Sequence, residues 1–148
     1  MSAHHITRVL GVAVAMTLAP LSGPIGIPSG YADPCPDVEV VFARGTGEPP
    51  GVGKVGQAFV DSLSSQVAGR SFGVYPVNYP ATTAFAASSD DGANEVSAHV
   101  EDMVARCPNT RMVLGGYSQG AGVIDLTTDQ LPPQAANHVA AVARLRQS

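Results

Sequence analysis

The run Arg111-Met112-Val113-Leu114-Gly115-Gly116-Tyr117-Ser118-Gln119-Gly120 constrains the fold of this chain more than any other stretch. An apolar strand meets, with no linker, two glycines, a serine at a corner and a further glycine two residues on. A helix that starts hard against a strand end forces the corner residue into a strained backbone conformation. Side chains two positions to either side would collide with the neighbouring strand and helix. Gly116 and Gly120 meet that requirement. Strain of this kind costs about 1–3 kcal/mol and persists where it presents a group for chemistry. Ser118 therefore reads as a nucleophile raised above the sheet, and the backbone N–H of Gln119, at the helix start, points to where an oxyanion would form. The amphipathic segment Ala121 to Leu131 then supplies the helix that leaves the corner.

Strands and helices alternate along the chain. Asp37 to Ala43 is a short apolar run fit for a buried parallel strand. Val55, Phe59, Leu63 and Val67 recur every fourth residue and give one apolar face to a helix over Val52 to Ala68. Phe72 to Val77 reads as a second strand, and Gly73 with Pro76 puts it near a sheet edge. A loop from Asn78 to Ala87 leads to Ser88 or Ser89 as a helix cap, after which Ala93, Val96, Val100, Met103, Val104 and Cys107 mark a second helical face. Arg111 to Leu114 is the third strand, Pro132-Pro133 breaks the helix after Ser118, and His138 to Leu145 is the fourth strand. This order implies an α/β fold: a three-layer sandwich whose mostly parallel sheet, of about four strands, carries helices on both faces.

Composition fits one exported domain. Residues 1–32 carry Arg8, an apolar stretch Val9 to Ala19, a Pro/Gly-rich spacer and the small-residue site Gly30-Tyr31-Ala32, which together form a cleavable signal peptide. The apolar stretch is too short to span a bilayer; a membrane anchor is the alternative reading of this segment. Cleavage after Ala32 would leave Asp33 to Ser148, enough chain for one modest core. Arg8 is the one charged residue in 1–32, so its removal takes the formal net charge from −4 to −5. No basic patch remains to attract nucleic acid or anionic lipid, and no membrane span is expected after cleavage. Two cysteines in an exported chain, Cys35 and Cys107, suggest one disulfide. The oligomeric state is not legible.

Gly51-Val52-Gly53-Lys54-Val55-Gly56 has the spacing of a dinucleotide fingerprint. It lies eight residues past the first strand instead of forming the tight turn itself, and the second strand ends in Asn78-Tyr79 without the acid that would bind a ribose. These glycines read as loop and helix-start residues, and the sequence calls for no cofactor and no metal.

Several segments together carry a resemblance: Cys35-Pro36-Asp37, Phe42-Ala43-Arg44-Gly45-Thr46, Val77-Asn78-Tyr79-Pro80, Arg106-Cys107-Pro108 and Gly115-Gly116-Tyr117-Ser118-Gln119-Gly120. The span from Cys35 to about Ala143 resembles the cutinase family, small secreted serine esterases of the α/β-hydrolase class, and especially its bacterial branch. The resemblance implies hydrolysis of fatty acyl esters outside the cell. It implies Ser118 as nucleophile, the Gln119 N–H as one oxyanion donor, and Thr46, otherwise an ordinary turn residue, as a second donor. It also matches Cys35 and Cys107 to the family's first disulfide.

The resemblance covers about the first two thirds of the family domain. Family members continue past the fourth strand with a second disulfide flanking the catalytic aspartate, a fifth strand and a late histidine. Here Val139 to Ala143 gives way to Arg144-Leu145-Arg146-Gln147-Ser148, so the last strand and helix and the two triad partners have no counterpart. Asp125 and Asp129 lie about 10 and 16 Å along the helix leaving Ser118, His138 opens the fourth strand at the opposite sheet edge, and His99 reads as a boundary or surface residue of its helix. None of them is expected to reach Ser118. The expectation is an ester hydrolase with impaired catalysis. The alternative is an inactive truncated secreted protein, or an acyl-binding module without turnover.

Overall fold

In the computed structural model, which describes residues 35–147, the apolar run after Asp37 becomes β1, Val38–Ala43, buried at every position. A strand covered on both faces needs apolar residues on both. Helix α1 (Gly53–Gln66), β2 (Phe72–Pro76), α2 (Phe85–Arg106) and β3 (Arg111–Tyr117) follow. Then come α3 (Gln119–Gln130), the short α4 (Pro133–Ala136) and β4 (Val139–Leu145). The expected signal peptide, residues 1–32, lies outside the described residues. Among the described residues no helix is long and apolar enough to cross a membrane.

All strand pairs are parallel, in the order β2-β1-β3-β4. Successive side chains of a strand point to opposite faces, so β1 feeds two cores. Val38, Val40 and Phe42 pack with Val60, Phe59 and Leu63 of α1, whereas Val41 and Ala43 pack with Val96, Val100 and Met103 of α2 and with Val123 and Ile124 of α3. Helices therefore cover both faces, giving the three layers expected. β2, with its Gly73 and Pro76, is indeed an edge strand.

The strand order positions the site. From β1 the chain crosses by α1 to β2 on one side, whereas from β3 it crosses by α3 to β4 on the other. The carboxyl ends of β1 and β3 thus flank a point where strand order reverses, the crevice where open α/β sheets bind ligands. Ala43 pairs with Gly116 across it.

Local readings differ from the structure in places. Helix α2 begins at Phe85, ahead of the expected cap at Ser88 or Ser89, with no side-chain cap bond. Ser88 sits inside the first turn, buried, and its hydroxyl bonds to Gln119 instead; a tertiary partner has taken the group that capping would use. Strand β3 runs on past Leu114 to Tyr117, because Gly115 and Gly116 remain paired to Phe42 and Ala43 on one side and to Ala143 and Arg144 on the other. The Pro132-Pro133 break is real, yet Pro133 opens the short α4, since a proline at the first helical position loses no bond.

Cys35 and Cys107 form a disulfide across a sequence separation of 72. Closing a loop of that length stabilises the fold by about 4 kcal/mol on the chain-entropy model. It ties the segment before β1 to the end of α2.

Two helical glycines differ in what a methyl group would meet. A Cβ on Gly92 would lie 2.8 Å from Val123 Cγ2 and 3.0 Å from Tyr79 Cδ2, where α2 approaches α3, while one on Gly122 would meet nothing within 4 Å. Replacing a mid-helix glycine by alanine gains up to about 1 kcal/mol of propensity, and overpacking costs about 1–3 kcal/mol. Gly122→Ala is expected to raise the urea midpoint and Gly92→Ala to lower it; a shift of the same sign in both would contradict this packing.

Candidate active site

The corner after β3 has the strained geometry that its sequence demands. Ser118 sits at φ 55°, ψ −115°, and its side chain is exposed. Its N–H donates to Leu145 O at 2.9 Å, and its carbonyl accepts from Ala121 N at 3.0 Å. A Cβ on Gly116 would lie 2.1 Å from Gly120 O, and one on Gly120 would lie 1.9 Å from Ala43 O. No side chain fits at either position, so α3 can start close against β1 and β3 only with glycine at both.

Thr46 lies in the loop after β1, three residues past the end of that strand. Its Oγ1 is 3.2 Å from the Gln119 side-chain nitrogen, so the structure brings the three residues singled out by sequence to one place. The Gln119 amide, buried within the crevice, also donates to Thr82 O at 2.7 Å and accepts from Ser88 Oγ at 2.8 Å. Ser88 and Thr82 were not legible as site residues, because the contacts join segments 31 and 37 positions away from Gln119.

A second polar knot holds the Thr46 loop. The buried Arg44 guanidinium donates to Glu48 O at 2.7 Å and to Tyr79 O at 3.0 Å. It also lies over the Tyr79 ring, 5.2 Å from the centroid. Tyr79 returns a bond from its hydroxyl to Arg44 O at 2.5 Å. The Glu48 carboxylate accepts from Gly45 N at 2.7 Å and from Lys54 N at 3.0 Å. Carboxylates are favoured at helix N-termini, where backbone N–H groups are unpaired and the helix dipole is positive. Glu48 thus fills the position at the start of α1 that an anionic ligand of a Gly51–Gly56 fingerprint would occupy. Gly47 N donates to Ala81 O at 2.8 Å, and Ala81, at φ 51°, joins Ser118 as a strained non-glycine residue beside the crevice.

The other polar candidates lie elsewhere. His99 Nε2 is 2.6 Å from Glu39 Oε1, and its ring stacks on Tyr75 at 3.4 Å between centroids. The boundary reading of His99 therefore needs extending, since the ring is engaged on both an edge and a face. Tyr75 in turn donates to Glu95. His138 precedes β4, whose far end reaches Ser118 through Leu145 O; at strand rise that is about 20 Å. Asp125 is paired with Arg144 and, at 3.2 Å, with Arg146. Among the described residues no histidine is hydrogen-bonded to Ser118, and no group of three or more His, Cys, Asp or Glu side chains is arranged to hold a metal ion.

Comparison with known proteins gives a consistent picture. The family model described as Cutinase matches residues 34–145. Carboxylesterase Culp1 of Mycobacterium tuberculosis is 59% identical over 143 residues, covering 97% of this chain and 66% of the relative. Phospholipase Culp4 of the same organism is 48% identical over 152 residues, covering 96% and 66%. Among solved structures, Trichoderma reesei cutinase in complex with a phosphonate inhibitor superposes with a TM-score of 0.67 at 38% identity, covering 74% of this chain and 51% of that one. The catalytic core of acetyl xylan esterase from the same fungus gives 0.64 at 28% identity, covering 76% and 64%. The chain thus spans slightly less than two thirds of the length of these curated relatives.

Burial pushes the Tyr79 phenol up from 10.0 to about 12, with Arg44 pulling the other way and Glu48 adding to the rise. Tyr75 is raised likewise to about 12 by burial and by its bond to Glu95. The unfolded chain ionises first as pH rises, so both phenols contribute stability that is complete below pH 10 and lost between 10 and 12. Urea midpoints are expected to fall across that interval, and to fall less steeply in Tyr79→Phe. Equal slopes in the two proteins would remove Tyr79 from the account.

Proposed function

Because this chain belongs to the cutinase family, we propose that it is built to hydrolyse carboxylic esters of fatty acids through Ser118. The observation that carries the reading is the strained, exposed Ser118 with Gln119 and Thr46 gathered beside it at the sheet's switch point. In the proposed reaction Ser118 Oγ attacks the ester carbonyl carbon. The carbonyl oxygen takes up negative charge and accepts from the backbone N–H groups of Gln119 and Thr46 and from the Thr46 hydroxyl. Collapse breaks the bond between the acyl carbon and the leaving oxygen, the proton lost by Ser118 ends on that oxygen to give the alcohol, and water then hydrolyses the acyl-serine to the fatty acid and free Ser118. Losing one oxyanion donor costs about 100- to 1000-fold in rate, so both residues matter. Fatty acyl esters are the proposed substrates, and the names of the two relatives, one a carboxylesterase and one a phospholipase, fit that class.

Serine attack needs a base within hydrogen-bond reach. His99 is held by Glu39 and Tyr75, and His138 lies at the other end of β4. Our reading is that this chain turns over slowly by itself. A serine site without its triad partners loses about a million-fold in turnover, while oxyanion donors and binding keep about 10³ to 10⁴ over water. The same observation favours a second reading, an acyl-binding protein that keeps the crevice but no turnover. The disulfide and the N-terminal export pattern support a location outside the cytosol.

Hydrolysis of p-nitrophenyl butyrate by the wild type and by Ser118→Ala decides between these readings. The expected result is a weak rate above background that Ser118→Ala abolishes. Robust turnover would end the claim of impairment, and identical background rates in both proteins would favour the binding reading.

A further inference from the structure

The two edges of the sheet differ in kind. At one edge β2 carries Gly73 and Pro76, which make it a poor template for further pairing. At the other, β4 has neither glycine nor proline, and among the described residues it pairs with β3 alone. Its Ala140 and Ala141 are exposed. Leu145 O accepts from Ser118 N, so Leu145 turns its main-chain polar groups to β3, and alternation along the strand turns those of Arg144 and Val142 outward. On the α3 side of this edge Thr128, Leu131, Ala136, Val139 and Val142 line a mostly apolar hollow. Charge is sorted lengthwise beside it. Arg144 and Arg146, at the carboxyl end of β4, are both held by Asp125, and the Arg146 side chain stays 68% exposed. One turn further along the same face of α3, Asp129 is exposed and has no ion-pair partner among the described residues. The last turn of α3 holds no basic residue, so negative charge gathers beside the start of β4 and positive charge at its end.

We propose that the β4 edge is a docking surface for a second copy of this chain, joined by antiparallel β4-to-β4 pairing about a two-fold axis. Antiparallel pairing is the arrangement that charge favours. It lays the Arg144–Arg146 end of one protomer against the Asp129 end of its partner, twice per dimer, whereas parallel pairing would set like charges side by side. An axis at Val142 bonds the outward main-chain groups of Val142 to those of the partner's Val142, and those of Arg144 to the partner's Ala140. Ala141 then faces the partner's Ala143, so the side chains at the seam are small and no like charges stand directly opposite. That axis is perpendicular to the sheet, which puts both α3 helices on one face with the two hollows toward each other. The contact is isologous and closes at two copies. Both edges of the joined sheet are then β2 strands, the ones that Gly73 and Pro76 already blunt. The proposal does not depend on the chemistry of Ser118.

Sedimentation velocity of the purified chain over a wide range of concentration tests this, and a dimer in equilibrium with monomer is the expected result. Arg146→Glu and Asp129→Lys, both at exposed positions, are each expected to raise the dissociation constant at least about tenfold. Mixed in equal amounts, the two single variants should pair with each other at close to the wild-type affinity, because each supplies the charge that the other lacks. A role for Arg146 confined to its own Asp125 would give no such rescue. A monomer at every concentration, growth beyond two copies, reversals that leave the dimer unchanged, or a mixture that pairs no better than either variant alone would overturn the proposal. Amide hydrogen exchange of the wild type locates the seam without any variant, so it stands if a charge reversal fails to fold. The N–H groups of Val142 and Arg144 should exchange more slowly in the dimer than in the diluted monomer; equal rates would put the interface elsewhere and sink the β4 pairing.

Discussion

The contact on which the rest depends is the approach of α3 to the carboxyl ends of β1 and β3, where a Cβ on Gly120 would lie 1.9 Å from Ala43 O. With any side chain there, the helix would have to withdraw, and the corner at Ser118 would relax out of its positive φ. The same approach sets the first residue of α3, Gln119, against the β1 loop. One steric condition therefore exposes the serine and brings its neighbour to Thr46. Strain at a single residue of about 1–3 kcal/mol is offset by the cores on both faces and by a disulfide closing a 72-residue separation.

Around that contact the loops are held by polar groups rather than by apolar packing. Arg44 is 5% exposed, and burying a guanidinium is tolerated only when its N–H groups find acceptors. Here those acceptors are main-chain carbonyls of Glu48 and Tyr79, so the side chain ties the loop after β1 to the loop after β2. Glu48 fastens the same loop to the start of α1, and Gln119 fastens it to α3. Thr46 thus sits on a loop anchored from three directions, which is what a group has to be if it is to meet a charge at a fixed point.

The two histidines of the described residues show how topology outranks residue type. In a parallel sheet every strand begins at one edge and ends at the other, so a residue that opens β4 is separated from one that follows β3 by the length of the strand. His138 fails by that rule alone, and it could be judged from the order of elements. His99 needed coordinates: its helix face was legible, but its partner Glu39, 60 positions away, and the Tyr75 ring beneath it were not.

What the sequence determined by itself is what local sterics and periodicity determine. Gly116 and Gly120 around Ser118 announced the corner, the four-residue spacing of Val55, Phe59, Leu63 and Val67 announced α1, and Gly73 with Pro76 announced an edge strand. Each of these follows from atoms within a few bonds or one turn of each other. Tertiary structure decided the rest: that Ser88 serves Gln119 and not a helix cap, that Glu48 occupies the start of α1, and that Arg44 and Tyr79 lock the loop after β1. Those pairings join residues whose separation along the chain carries no signal. A polar side chain takes whichever partner the packed helices and strands leave within reach, and only the assembled fold fixes which one that is.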